Sequence, residues 1–113
     1  MSKYGNRKIT TTDGTFDSLK EARRWQELKL MQKAGEIKNL ERQKKFLLIP
    51  KVKGKDGYSQ RATYYIADFV YLEKYGDWQY RMIVEDTKGV RTEVYKLKKK
   101  LMYWRHGIRI REV

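Results

Sequence analysis

Ile83-Val84-Glu85-Asp86-Thr87-Lys88-Gly89 decides how this chain folds, taken together with Tyr64-Tyr65-Ile66-Ala67-Asp68-Phe69-Val70-Tyr71. Both stretches are rich in aromatic and β-branched residues and are bounded by turn signals, so both predict β-strands. Side chains alternate across a strand, which puts Tyr80, Met82, Val84, Asp86 and Lys88 on one face and Gln79, Arg81, Glu85 and Thr87 on the other. The first set is the apolar one and is expected to face the core. It ends in an acid and a lysine, which a core tolerates only when they are paired or bind something. Asp68 repeats the anomaly, interrupting a face that otherwise carries Tyr64, Ile66, Val70 and Leu72.

Two carboxylates and a lysine, presented from two strands, suit a divalent metal and a water beside a phosphodiester. Hard cations such as Mg²⁺ prefer carboxylate oxygens, polarise a phosphoryl oxygen and lower the pKa of a bound water. The lysine can orient or deprotonate that water. The competing reading is a buried Asp-Lys ion pair that closes the end of the sheet, since an Asp-x-Lys at a strand end is common.

The chain has 113 residues, enough for a single domain spanning 1–113 with one core. It has no cysteine, which excludes disulfides and thiolate metal sites and permits a reducing cytoplasm. No apolar run is long enough to cross a bilayer, and Met1-Ser2-Lys3-Tyr4-Gly5 does not begin a signal peptide, so no membrane partner is expected. Lys and Arg number 27 against 14 Asp and Glu, a net charge of +13, which points to a polyanionic partner. Nucleic acid fits that charge better than a membrane surface, which would call for a basic amphipathic helix with a clean apolar face.

Read in order, Lys3 to Lys8 is a basic arm, expected to be mobile. Ile9 to Thr12 runs through Asp13-Gly14 into Thr15-Phe16, the signature of a short hairpin. Ser18 followed by Glu21 is a capping box, predicting a helix from there to about Ala34, with Gly35 ending it in a left-handed conformation. That gives Glu21 an ordinary structural role, yet Glu21, Trp25 and Leu28 also share one side of the helix. Glu36 to Gln43 reads as a connection or irregular strand, and a clear strand begins at Phe46. Lys53-Gly54-Lys55-Asp56-Gly57 is a polar turn, after which strands Gln60 to about Leu72 and Trp78 to Lys88 complete an antiparallel meander. Arg91 to Arg105 looks helical, with Val94, Leu97, Leu101 and Trp104 as its core-facing stripe and Arg91, Lys96, Lys98, Lys99, Lys100 and Arg105 around it. His106, the sole histidine, reads as part of the helix cap at His106-Gly107, and Ile108 to Val113 as a last strand, parallel to a neighbour.

This order of helix, three strands, helix and strand, after a small hairpin, resembles the α/β core of the PD-(D/E)xK nuclease superfamily, which includes restriction endonucleases and Holliday junction resolvases. The family signature is an acid on the second core strand, acid-x-Lys on the third and often a glutamate on the first helix. Asp68, Asp86-Thr87-Lys88 and Glu21 stand in those places. Lys3-Tyr4-Gly5-Asn6, Phe16 to Ala22, Tyr65 to Phe69 and Val84 to Gly89 are similar to phrases of a small, basic, phage-encoded family of that superfamily. Ala67 stands where many members carry a proline before the first acid.

The resemblance implies a restriction-endonuclease-like αβββαβ core, its mixed sheet flanked by helices, and a metal-dependent endonuclease acting on branched or recombining DNA in the cytoplasm of a bacterial host. It implies that Asp68 and Asp86 hold Mg²⁺ or Mn²⁺, with the Thr87 carbonyl as a further ligand and Glu21 at or around the metal. Lys88 would activate the attacking water. Arg7, Lys8, Arg91, Lys96, Lys98, Lys99, Lys100 and Arg105 would hold the DNA backbone. A homodimer suits the two cuts that resolve a symmetric junction. The alternative is a non-catalytic nucleic-acid-binding or host-interaction protein that keeps the nuclease fold.

Overall fold

The computed structural model describes residues 8–87 and 91–113. The basic arm up to Arg7, together with Lys88 and Gly89, lies outside them. Strands β1 (Ile9–Thr11) and β2 (Gly14–Phe16) form the expected hairpin, with Ile9 opposite Phe16 and Thr11 opposite Gly14. Helix α1 covers Leu19–Lys33. The Ser18 hydroxyl accepts from the Glu21 N–H at 3.1 Å, and the Glu21 carboxylate accepts in return from the Asp17 N–H at 3.3 Å. This reciprocal pairing satisfies donors that the first turn cannot. Gly35 follows at φ 82°, as its place after the helix required.

The remaining elements are β3 (Ile37–Ile49), β4 (Val52–Lys53), β5 (Ser59–Gln60), β6 (Thr63–Lys74), β7 (Tyr80–Asp86), α2 (Glu93–His106) and β8 (Arg111–Glu112). Thr92 caps the start of α2 by accepting from the Tyr95 N–H at 3.1 Å, and Gly107 ends it at φ 68°. Four strands form a sheet in the order β3-β6-β7-β8, and β8 runs parallel to β7 with Glu85 beside Arg111 and Asp86 beside Glu112. Among the described residues the fold is α/β, with a mixed sheet and two helices. The expected order of helix, three strands, helix and strand is observed as α1, β3, β6, β7, α2, β8, with the antiparallel hairpin β4–β5 inserted between β3 and β6.

The chain divides into two compact units. The first runs to Leu40 and resumes over Tyr71–Met82. Phe16, Ala22, Leu28, Ile37 and Tyr71 are its buried apolar residues. Asp13, in the turn of the first hairpin, accepts from the Lys29 ammonium at 2.7 Å and the Trp25 indole at 3.1 Å, which ties the hairpin to α1. The Lys29 hydrogen bond, and after it that of Trp25, holds the Asp13 carboxyl below its usual range. The second unit comprises Glu41–Val70 and Ile83–Val113, and its core gathers Phe46, Leu48, Tyr65, Ala67, Val70, Val84, Tyr95, Met102 and Ile110.

Strand β3 starts at Ile37 and runs unbroken through Phe46, so of the two readings of Glu36 to Gln43 the irregular strand is the one observed, with positive φ at Asn39 and Gln43. Four details differ from the sequence-based expectation. On β6 the buried alternating set is Tyr65, Ala67, Phe69 and Tyr71, whereas Tyr64 and Ile66 are exposed, so Asp68 does not interrupt a core face at those positions. On β7 Met82 is exposed, while Glu85 and Thr87 are buried along with Val84 and Asp86, so both faces are covered at the strand's end. On α2 the buried residues are Tyr95 and Met102; Val94, Leu97 and Trp104 of the expected stripe are exposed, Trp104 by 73%, and Leu101 is partly buried. His106 bonds the Leu47 carbonyl at 2.7 Å and meets Phe46 edge-on, so it joins the last turn of α2 to β3 and does not cap its own helix.

Candidate active site

Thr87 fixes Asp68. Its backbone N–H and its hydroxyl both donate to Asp68 Oδ2 at 2.8 Å, so β6 presents this carboxylate against the residue that follows Asp86. Asp68 is half-buried, and among the described residues no hydrogen bond engages its Oδ1. Asp86 is buried, 1% exposed, and its Oδ2 accepts from the Tyr65 hydroxyl at 2.6 Å. Burial first, and then the hydrogen bond to Asp86, pushes the Tyr65 phenol far above its usual range; the charges of Asp86 and Asp68 both add to the effect. Tyr65 therefore stays a neutral donor, and the two acids act on the same hydroxyl.

Beside Asp86, on the parallel neighbour β8, stands Glu112. Its Oε2 accepts from the Tyr95 hydroxyl at 2.9 Å and lies 3.1 Å from Arg91 Nε, and its Oε1 accepts from Lys99 at 2.9 Å. The Lys99 hydrogen bond, helped by Tyr95 and by the charges of Lys99 and Arg91, holds the Glu112 carboxyl below its usual range. Burial, with the Glu112 bond behind it, pushes the Tyr95 phenol up, and the charge of Asp86 reaches this hydroxyl too. Each tyrosine thus donates to one carboxylate, Tyr65 to Asp86 and Tyr95 to Glu112, so each of these acids gains a charge-assisted hydrogen bond.

The site residues expected from sequence fall out as follows. Asp68, Asp86 and Thr87 come together in the second unit. Lys88 and Arg7 lie outside the described residues. Glu21 belongs to the first unit, is buried, and is engaged by the start of its own helix. Arg91 and Lys99, expected to grip a DNA backbone, are held by Glu112. Lys96 pairs with Glu93 at 3.2 Å on the surface, Lys98 is half-buried, and Lys8, Lys100 and Arg105 are exposed. Sequence reasoning missed Tyr65, Tyr95 and Glu112. The signals were there: a tyrosine buried within a strand needs a partner for its hydroxyl, and Tyr95 and Lys99 share a face of α2 at i,i+4.

Among the described residues no three His, Cys, Asp or Glu side chains gather into a metal cage. The donors at hand are hard oxygens: the carboxylates of Asp68 and Asp86 and the carbonyl of Thr87. That set suits Mg²⁺ or Mn²⁺, which take one or two carboxylates and fill the rest of their shell from water and substrate phosphate. Among the described residues no helix is long and apolar enough to cross a membrane.

No curated protein and no solved structure matches the chain. Residues 1–111 match the family model described as protein of unknown function (DUF1064), and the chain therefore belongs to that family.

Proposed function

We propose that this protein is a metal-dependent endodeoxyribonuclease of the PD-(D/E)xK type, with a restriction-endonuclease-like core. The observation that carries the reading is the bond from Thr87 to Asp68, which sets the β6 carboxylate against the residue that follows Asp86. Asp68, Asp86 and the Thr87 carbonyl would hold Mg²⁺ or Mn²⁺, while Glu21, in the other unit, serves the start of α1. When bound, the cation supplies charge neutralisation at the scissile phosphate and acidifies a water.

The chain's own residues do the rest. Thr87 aims Asp68, and Tyr65 aims Asp86. Lys88, two residues past Asp86, would position the attacking water and take up its proton. Arg91 and Lys99 supply positive charge near the reacting phosphate, exchanging part of their hold on Glu112 for it. Exposed Lys8, Lys100 and Arg105, with Arg7, steer the DNA backbone. A phage setting, a bacterial cytoplasm and branched or recombining DNA complete the proposal, and a homodimer would deliver the paired cuts.

The test is cleavage of labelled four-way junction, flap and linear duplex DNA with Mg²⁺, Mn²⁺ or EDTA, by wild type and by Asp86→Ala. Uncatalysed phosphodiester hydrolysis is so slow that losing this ligand should cost at least about 10³-fold in rate while binding persists. Tight binding with no cutting of any substrate in either metal would convert Asp68 and Asp86 into a structural cluster of a binding module.

A further inference from the structure

The β4–β5 hairpin is built unlike the rest of the second unit. Between Pro50 and Arg61 every residue except Gly54 is exposed, so this stretch buries almost nothing against its own core. Its shape comes from its turn. Asp56 Oδ1 accepts from the Tyr58 N–H at 3.0 Å, the Gly54 N–H donates to the Tyr58 carbonyl at 2.8 Å, and Gly57 takes φ 89°. A methyl group on Gly54 would stand 2.6 Å from Asp56 Oδ1, so the tip closes tightly around that carboxylate.

The register sorts the side chains. Val52 faces Gln60 and Lys53 faces Ser59. The same register, continued one step toward the base of the hairpin, brings Lys51 opposite Arg61. Lys51, Lys53 and Arg61 thus share one face of the ribbon with no acid among them. Val52, Tyr58 and Gln60 take the other face, where Gln60 donates to the Tyr58 hydroxyl at 3.0 Å. The one acid of the segment, Asp56, is engaged at the tip. Like charges set opposite each other destabilise a two-stranded ribbon that is marginal already. An ordinary solvated loop would intersperse acids; this one concentrates cations.

We propose that the β4–β5 ribbon is a DNA-binding arm that lays its Lys51, Lys53 and Arg61 face against the phosphates of duplex DNA. A two-stranded ribbon fits the major groove, about 12 Å wide, and phosphates remove the repulsion between the paired cations. The inference deepens the nuclease reading, on which it rests for the choice of DNA, by giving the substrate a second point of attachment.

The experiment measures binding of the full chain to a short labelled duplex and to the matching single strand in EDTA, as salt rises from 50 to 200 mM. Wild type is compared with Lys51→Gln/Lys53→Gln/Arg61→Gln and with a control of equal charge, Lys20→Gln/Lys33→Gln/Lys74→Gln. Three lost phosphate contacts should lower the slope of log K against log salt by about 2.7, so the wild-type advantage on duplex shrinks about 40-fold across that range. The control should move the slope by less than about 1. Thermal midpoints should agree, because all six side chains are exposed. Equal weakening by both triple variants, or a loss as large on single strand as on duplex, overturns the proposal. A wild type that binds duplex but never cuts refutes the nuclease and leaves the arm standing; intact cutting with an unchanged slope in the hairpin variant refutes the arm alone.

Discussion

Replacing Tyr65 by phenylalanine removes one oxygen and little else. The ring is 3% exposed and keeps its place among Ala67, Val84 and Met102, so no cavity opens. What disappears is a 2.6 Å hydrogen bond to a buried carboxylate. Bonds to charged groups contribute about 1.5–3 kcal/mol against about 1 kcal/mol for neutral pairs. Taking about 2 kcal/mol, Tyr65→Phe shifts the unfolding equilibrium about 30-fold. For a domain of this size that lowers the melting midpoint by about 8 °C. The charge dependence separates this cause from general loosening. In an Asp86→Asn background the acceptor survives without its charge, and Tyr65→Phe should cost only about 1 kcal/mol. Urea titrations of the four proteins at neutral pH close the cycle, with a coupling energy of about 1 kcal/mol expected. A coupling below about 0.5 kcal/mol would refute the idea that the phenol serves the Asp86 charge.

The Glu112 carboxyl lies below its ordinary 4.5 in the folded chain, so its contribution to stability is complete above that value and fades as pH falls through the lower folded value. Urea stability of wild type should therefore drop between about pH 5 and pH 3, and Glu112→Gln should be weaker by about 1 kcal/mol at neutral pH with a shallower drop. Parallel pH curves for the two proteins would remove Glu112 from the acid response. Gly107→Ala meets no atom within 4 Å yet must hold φ 68°, so thermal melts should show a loss of about 1 kcal/mol from backbone strain alone. Gly107→Asn should lose less, because asparagine tolerates that conformation better.

The parts of the fold that were legible in sequence are those fixed by local chemistry. Ser18, Glu21 and Gly35 bracket α1 because capping is decided within one turn of chain, and Asp13-Gly14 specifies its hairpin for the same reason. Which face is buried was harder, because it depends on what packs opposite. Strand β6 offers Tyr64 and Ile66 on one side and Tyr65 and Ala67 on the other, both apolar, and the choice follows from Tyr65 finding Asp86 for its hydroxyl. Helix α2 likewise has two apolar arcs. The arc of Tyr95 and Met102 is buried because half-buried Lys98 and Lys99 flank it with long aliphatic stems, which a charge-based reading assigns to solvent. At the site, Asp68 and Asp86 were found because carboxylates in strands are anomalous. Glu112 was hidden because an acid in a two-residue strand is ordinary until the parallel register sets it beside Asp86.

The margins of the sheet bear on how copies of this chain can meet. One margin is β3, whose exposed Lys38, Glu41, Lys44 and Lys45 line a strand twice bent out of the extended conformation. The other is β8, only two residues long. A charged, kinked edge and a stub both reject an added strand. Among the described residues both margins of this sheet are therefore poor templates for ladder growth from molecule to molecule. The exposed Leu97 and Trp104 of α2 offer a side-chain route for two copies to meet that leaves the hydrogen-bonded order of this sheet unchanged.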